Sequence, residues 1–154
     1  MKTTTLAIMI SLAATIPAAR AGNVLPNGVE PLSSQQVADK YSGHTVEVDF
    51  MGIFFSLDGT VKAYASMSHA EETAVGKWTV NGNEFCYDVT WKTKRESINQ
   101  VKCKKHYKLV SDTFIQETRD TDSNYLSVYP DTQFIFEGDK VSDNYTAVEK
   151  LISE

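Results

Sequence analysis

Gly76-Lys77-Trp78-Thr79-Val80-Asn81-Gly82-Asn83-Glu84-Phe85-Cys86 is the stretch that decides the fold. Asn81-Gly82 is a strong two-residue hairpin signal, because both central positions of the favoured turn need a positive φ. The residues before it, Ala74 to Val80, form one arm, and Glu84 to Trp91 form the other. On the second arm Phe85, Tyr87, Val89 and Trp91 alternate with Glu84, Cys86, Asp88 and Thr90, the two-residue period of a half-buried strand. The reading is antiparallel β-structure with one apolar face.

The same pattern continues in both directions. Upstream, Val46, Val48 and Phe50 alternate with Thr45, Glu47 and Asp49, and Ile53 to Leu57 is apolar throughout. Asp58-Gly59 marks a second hairpin, returning through Thr60 to Met67, and Ser68 to Thr73 reads as a polar loop. Downstream, strands are predicted at Val101–Leu109, Thr113–Arg119 and Thr132–Glu137, while Tyr125–Tyr129 fits a strand or a helical turn equally well. One helix precedes them all. Ser33 can cap it with Gln36 as the return partner of a capping box, Val37 and Tyr41 share a face, and Gly43 ends it. Eight or nine short strands with frequent turns predict a mainly β protein, a small antiparallel barrel with one N-terminal helix.

The ends set the compartment. Residues 1–21 read as a signal peptide: Lys2, an apolar run from Leu6 to Ile16, then Ala19-Arg20-Ala21 ahead of a cut before Gly22. The apolar run is too short to anchor the chain in a bilayer, so the mature chain is expected without a transmembrane segment, in the periplasm or secreted. Residues 22–31 read as an extended segment and 32–154 as a single barrel domain. Without residues 1–21 the chain keeps 13 basic and 20 acidic residues, a net charge near −7. An acidic exported chain does not suit nucleic acid.

Cys86 and Cys103 are the only cysteines. In an oxidising compartment the pair predicts a structural disulfide. A complication follows from strand parity. Cys86 lies opposite the apolar face of its strand, whereas Cys103 shares a face with Val101, Tyr107 and Leu109. Bridged cysteines on neighbouring strands point to the same side of a sheet. Three readings stay open: a bulge shifts one register, Cys103 precedes regular pairing, or the barrel encloses a partly polar interior.

No pattern for catalysis stands out. There is no G-x-S-x-G elbow, no H-E-x-x-H helix and no glycine-rich phosphate loop, and His44, His69 and His106 are each isolated. The expectation is a protein without catalytic residues, cofactor or metal. Charge is more informative. Residues 92–110 carry seven of the 13 mature basic residues against Glu96 alone, on an otherwise acidic chain. Lys102, Lys104 and Lys105 are therefore candidates for a basic face that meets an anionic partner. Among the aromatic residues, Trp78, Phe85, Tyr87 and Trp91 are the candidate walls of an interior pocket, since a small barrel either fills its interior or holds one small molecule.

The run Asp58-Gly59-Thr60-Val61-Lys62-Ala63, then Gly76-Lys77-Trp78-Thr79-Val80, then Cys86, Cys103, Tyr107 and Phe136-Glu137-Gly138-Asp139, resembles DUF995 from about Leu32 to Asp139. This is a family of small exported proteins of unknown function, found mainly in alphaproteobacteria. The resemblance implies a periplasmic, lipocalin-like barrel of about eight strands with a disulfide, and brings no catalytic residues. The G-x-W strand and cysteine pair also resemble small barrel inhibitors of secreted metalloproteases, in which an N-terminal arm enters the protease cleft. Residues 22–31 could form such an arm, although the capped helix and the later strands depart from that pattern. The expected function is a binding module for a small apolar or amphipathic ligand or an envelope component. The alternative is a protein–protein module, an inhibitor or an envelope-stress factor.

Overall fold

The computed structural model describes residues 25–67, 70–110, 113–119, 124–130 and 134–154. The expected signal segment, the start of the extended segment and His69 lie outside them. Eight strands run as an uninterrupted antiparallel meander: β2 (His44–Val48), β3 (Met51–Phe55), β4 (Thr60–Met67), β5 (Ala70–Asn81), β6 (Glu84–Lys92), β7 (Ser97–Val110), β8 (Thr113–Arg119) and β9 (Asn124–Pro130). A short strand β10 (Ile135–Glu137) pairs with β2 at the other edge, and β1 (Glu30–Pro31) pairs with β7 beside Lys108 and Tyr107. The outcome is a mainly β, antiparallel half-barrel.

Turn chemistry and side-chain period explain the register. Gly59 and Gly82 hold positive φ, at +83° and +59°, and the β5–β6 turn falls one residue later than expected, on Gly82-Asn83, because Asn81 stays in β5 and pairs with Glu84. Gly76 answers a different demand, since a Cβ there would lie 1.9 Å from the Asp88 carbonyl oxygen on β6. Only glycine lets the two strands approach so closely at that point. Inside, Ile53, Phe55, Val61, Ala63, Ala74, Phe85 and Val89 form the main core. Helix α1 (Ser34–Tyr41) closes one end, with the expected capping box between Ser33 and Gln36 and with Val37 and Tyr41 buried.

Two expectations need correction. The strand expected to run on to Phe50 ends at Val48. Val48 pairs with Met51, so Asp49 and Phe50 form a turn and Phe50 is exposed. A hairpin turn without glycine leaves little signal in the sequence. Secondly, the described residues hold two helices and not one. Helix α2 (Ser142–Ser153) lies on the outer face of β4 and β5, burying Val148 and Ile152 with Val141 and Tyr64. Asp139 accepts from the Val141 and Ser142 amides at its start, and Glu149 fastens it to the sheet. One Glu149 oxygen accepts from Thr73 at 2.6 Å and the other from Lys92 at 2.7 Å. Other boundaries shift: β5 extends back to Ala70 into the expected loop, β7 begins at Ser97, β10 covers Ile135–Glu137 while Thr132 and Gln133 lie outside the described residues, and residues 124–130 are strand.

Cys86 and Cys103 are bridged and sit directly opposite each other in the β6–β7 ladder. The bridge closes a loop with a sequence separation of 17. Restricting the unfolded chain by such a loop contributes about 3 kcal/mol. Replacing both cysteines by serine should lower the unfolding free energy by about that amount in denaturant titration. A reducing agent should do the same to the parent chain and nothing further to the variant.

Candidate functional site

The β6–β7 pairing decides what the interior contains. With Cys86 opposite Cys103, Phe85 faces Lys104, Tyr87 faces Lys102 and Trp91 faces Ile98. Alternation then places Lys102, Lys104 and His106 on the inner face, and Val101, Cys103, Lys105 and Tyr107 on the outer one. Of the three open readings, the partly polar interior is the one realised, with no bulge between β6 and β7. The bridge itself lies outside, so an outward disulfide and a polar interior occur together.

A cavity of about 170 Å³ occupies the interior. Val46, Met51, Ile53 and Phe55 form one wall from β2 and β3, and Phe85 and Tyr87 form the wall from β6. Phe134 and Ile135 complete it on the β10 side, and Tyr41 contributes from α1. Lys104 and Gln116 are the charged and amide groups that reach this apolar space. Phe134 holds a φ of +67°, a backbone cost for an aromatic residue at the cavity wall.

Beneath the cavity, four polar side chains form a closed circuit. Lys104 Nζ donates to Gln116 Oε1 at 3.1 Å, and Gln116 Nε2 donates to Tyr41 Oη at 2.7 Å. Tyr41 Oη and His106 Nε2 are 2.7 Å apart, and His106 Nδ1 lies 3.1 Å from the Lys104 carbonyl oxygen. That carbonyl can only accept, so Nδ1 carries the imidazole proton and Nε2 accepts from the Tyr41 hydroxyl. The Tyr41 ring also stacks on Phe85 at 3.9 Å and meets Phe55 edge-on at 5.5 Å.

Lys104 and His106 are both shifted against carrying charge. Burial pushes the His106 pKa down to about 4 and outweighs the hydrogen bonds that favour the imidazolium. Burial also lowers the Lys104 pKa, with Lys102 adding to the effect. The Lys104 ammonium has three N–H donors, and one of them serves Gln116. Among the described residues no carboxylate pairs with it.

The residues singled out from sequence separate here. Phe85 and Tyr87 line the cavity, whereas Trp78 and Trp91 pack against the core with their indole N–H groups on the Ser56 carbonyl and the Gln100 amide. Lys102, Lys104 and Lys105 do not make one basic face, because alternation turns Lys105 away from the other two and Lys104 reaches the cavity. Tyr41, His106 and Gln116 were missed as site residues. Their one sequence signal was the inner-face parity that Lys104 and His106 share with Phe85, and that parity becomes readable only once the cysteines are paired across the ladder.

A family model described as a protein of unknown function (DUF995) matches residues 9–144. The chain belongs to this family. No curated protein and no solved structure matches it. Within this DUF995 chain, no helix among the described residues is long and apolar enough to cross a membrane.

Two outcomes follow from the circuit. His106 has a folded pKa near 4 against an ordinary 6.5, so its contribution to stability is complete above pH 6.5 and declines as the pH falls toward 4. The loss over that window amounts to about 3 kcal/mol. Unfolding free energies measured from pH 7 to pH 4 should show it, and His106→Gln should flatten that part of the curve. Tyr41→Phe removes the hydroxyl that joins the Gln116 amide to His106 Nε2 and leaves only the longer 3.3 Å contact between those two groups. A loss of about 1–3 kcal/mol is expected in chemical denaturation.

Proposed function

We propose that this DUF995 protein is an exported, periplasmic binding module that acts without catalysis and holds a small apolar or amphipathic molecule inside its half-barrel. The observation that carries this reading is the apolar cavity between β2, β3 and β6, with a lysine and a glutamine at its polar side. Binding sites for small molecules commonly combine predominantly apolar walls with a few converging polar groups. The disulfide supports the proposed compartment, because such bridges persist where the surroundings are oxidising. Phe85 and Tyr87 are the pocket walls from the original aromatic set, and Met51, Ile53 and Phe55 join them.

The test uses the full chain purified from the exported fraction. Denaturing extraction and mass spectrometry should reveal a co-purifying apolar molecule, and added 1-octanol should shift the Met51 methyl resonance. Val46→Phe, which places a ring in the cavity wall, should abolish both signals while the protein stays folded. A parent chain that carries no molecule and shows no Met51 shift with 1-octanol would defeat the proposal.

A further inference from the structure

We propose that the cavity is specific for a small monocarboxylate with an apolar tail, whose carboxylate group pairs with the Lys104 ammonium while the tail lies along Met51, Ile53 and Phe55. This inference rests on the binding-module reading and names the chemistry of its ligand. The argument begins with the cost of placing a lysine where Lys104 stands. Its Cα is paired with the inner-face residue Phe85, and its side chain reaches a cavity whose walls are otherwise mostly apolar. A buried charge is expensive unless a counter-charge and hydrogen bonds compensate it. Among the described residues, Lys104 donates one neutral hydrogen bond, to Gln116 Oε1, and has no carboxylate partner.

The direction of that bond matters. Gln116 is fixed by the circuit, since its amide nitrogen donates to Tyr41 and only its carbonyl oxygen is left for Lys104. Tyr41 is fixed in turn by His106, and His106 by the Lys104 main chain. The ammonium is thus held by a rigid, neutral scaffold, and among the described residues its other two N–H donors are left for a ligand. A carboxylate offers two oxygens, accepts both donors and neutralises the charge in one contact. A cation would be repelled by Lys104 and Lys102, and a neutral alcohol would leave the ammonium uncompensated. The apolar walls exclude a purely polar anion for the complementary reason, because they would gain nothing from it.

The cavity volume of about 170 Å³ suits a short tail, so octanoate is the probe, with 1-octanol as its neutral counterpart. Titration calorimetry on the full chain should find octanoate bound about 10- to 100-fold more tightly than 1-octanol, the factor a charge-assisted hydrogen bond supplies. Lys104→Met keeps the apolar stem and removes the ammonium, so it should bind both probes alike. Lys104→Gln, which keeps a polar end, should lose the preference as well and guards against a packing artefact in the methionine variant. If the parent binds the two probes equally, or if Lys104→Met keeps the preference for octanoate, the carboxylate assignment is overturned while the cavity reading stands. If neither probe binds the parent, both fall together.

Discussion

A disulfide between directly opposed residues of two neighbouring strands allows those strands a single register, and the interior of this protein depends on that constraint. Strand side chains alternate with a period of two, so a slip of one residue would exchange the two faces of β7. Hydrophobicity alone would favour such a slip. It would turn Val101, Tyr107 and Leu109 toward the core and Lys102, Lys104 and His106 toward solvent. The bridge between Cys86 and Cys103 holds the opposite arrangement, with Val101 and Leu109 exposed and His106 fully buried. The covalent link therefore does more than stabilise. It selects the less hydrophobic face of one strand as the lining of the half-barrel.

The polar circuit makes that inversion tolerable. His106 and Gln116 are buried, and each would be destabilising without partners. Tyr41 connects them, and it can do so because the capped helix α1 presents it on the same face as Val37. The helix, the β6–β7 register and the β7–β8 pairing of His106 with Gln116 must all be in place before the circuit closes. A network of this kind has a sharp optimum, since a half-satisfied one is worse than an apolar core. It therefore ties the correct placement of α1 to the correct pairing of strands far from it in sequence.

Much of the fold was legible from local patterns. The glycine turns around Gly59 and Gly82, the alternation in β4 and β6, and the capping box at Ser33 each have a short-range physical cause. The observed elements follow them closely. Helix α2 was harder to read because its N-cap is Val141, which offers no side-chain cap, and its apolar face is only Val148 and Ile152 with Tyr145 alongside. The turn at Asp49 and Phe50 lacks glycine and left the alternating pattern unbroken across it. The site was less legible than the fold. Phe85 and Tyr87 were identifiable as inward-facing aromatic residues, but Lys104 resembled part of a solvated basic strand and His106 an isolated histidine. Their significance comes from a cross-strand pairing, which is a long-range fact.

The mismatch between the two cysteines was thus the one sequence signal that pointed to the polar side of the site. Two strands whose apolar faces disagree with their covalent pairing must bury polar groups on one of them, and those groups then need partners. The partners here join Gln116, Tyr41 and His106 to one another, and the circuit ends at the Lys104 ammonium. A fold selected for stability alone would place a methionine or leucine at that position and fill the space above it. Keeping a lysine beside an open, apolar-walled volume instead sacrifices stability locally, as binding sites commonly do. The Lys104 ammonium and the cavity it reaches are therefore two aspects of one feature, and the outward-facing disulfide is what keeps both in place.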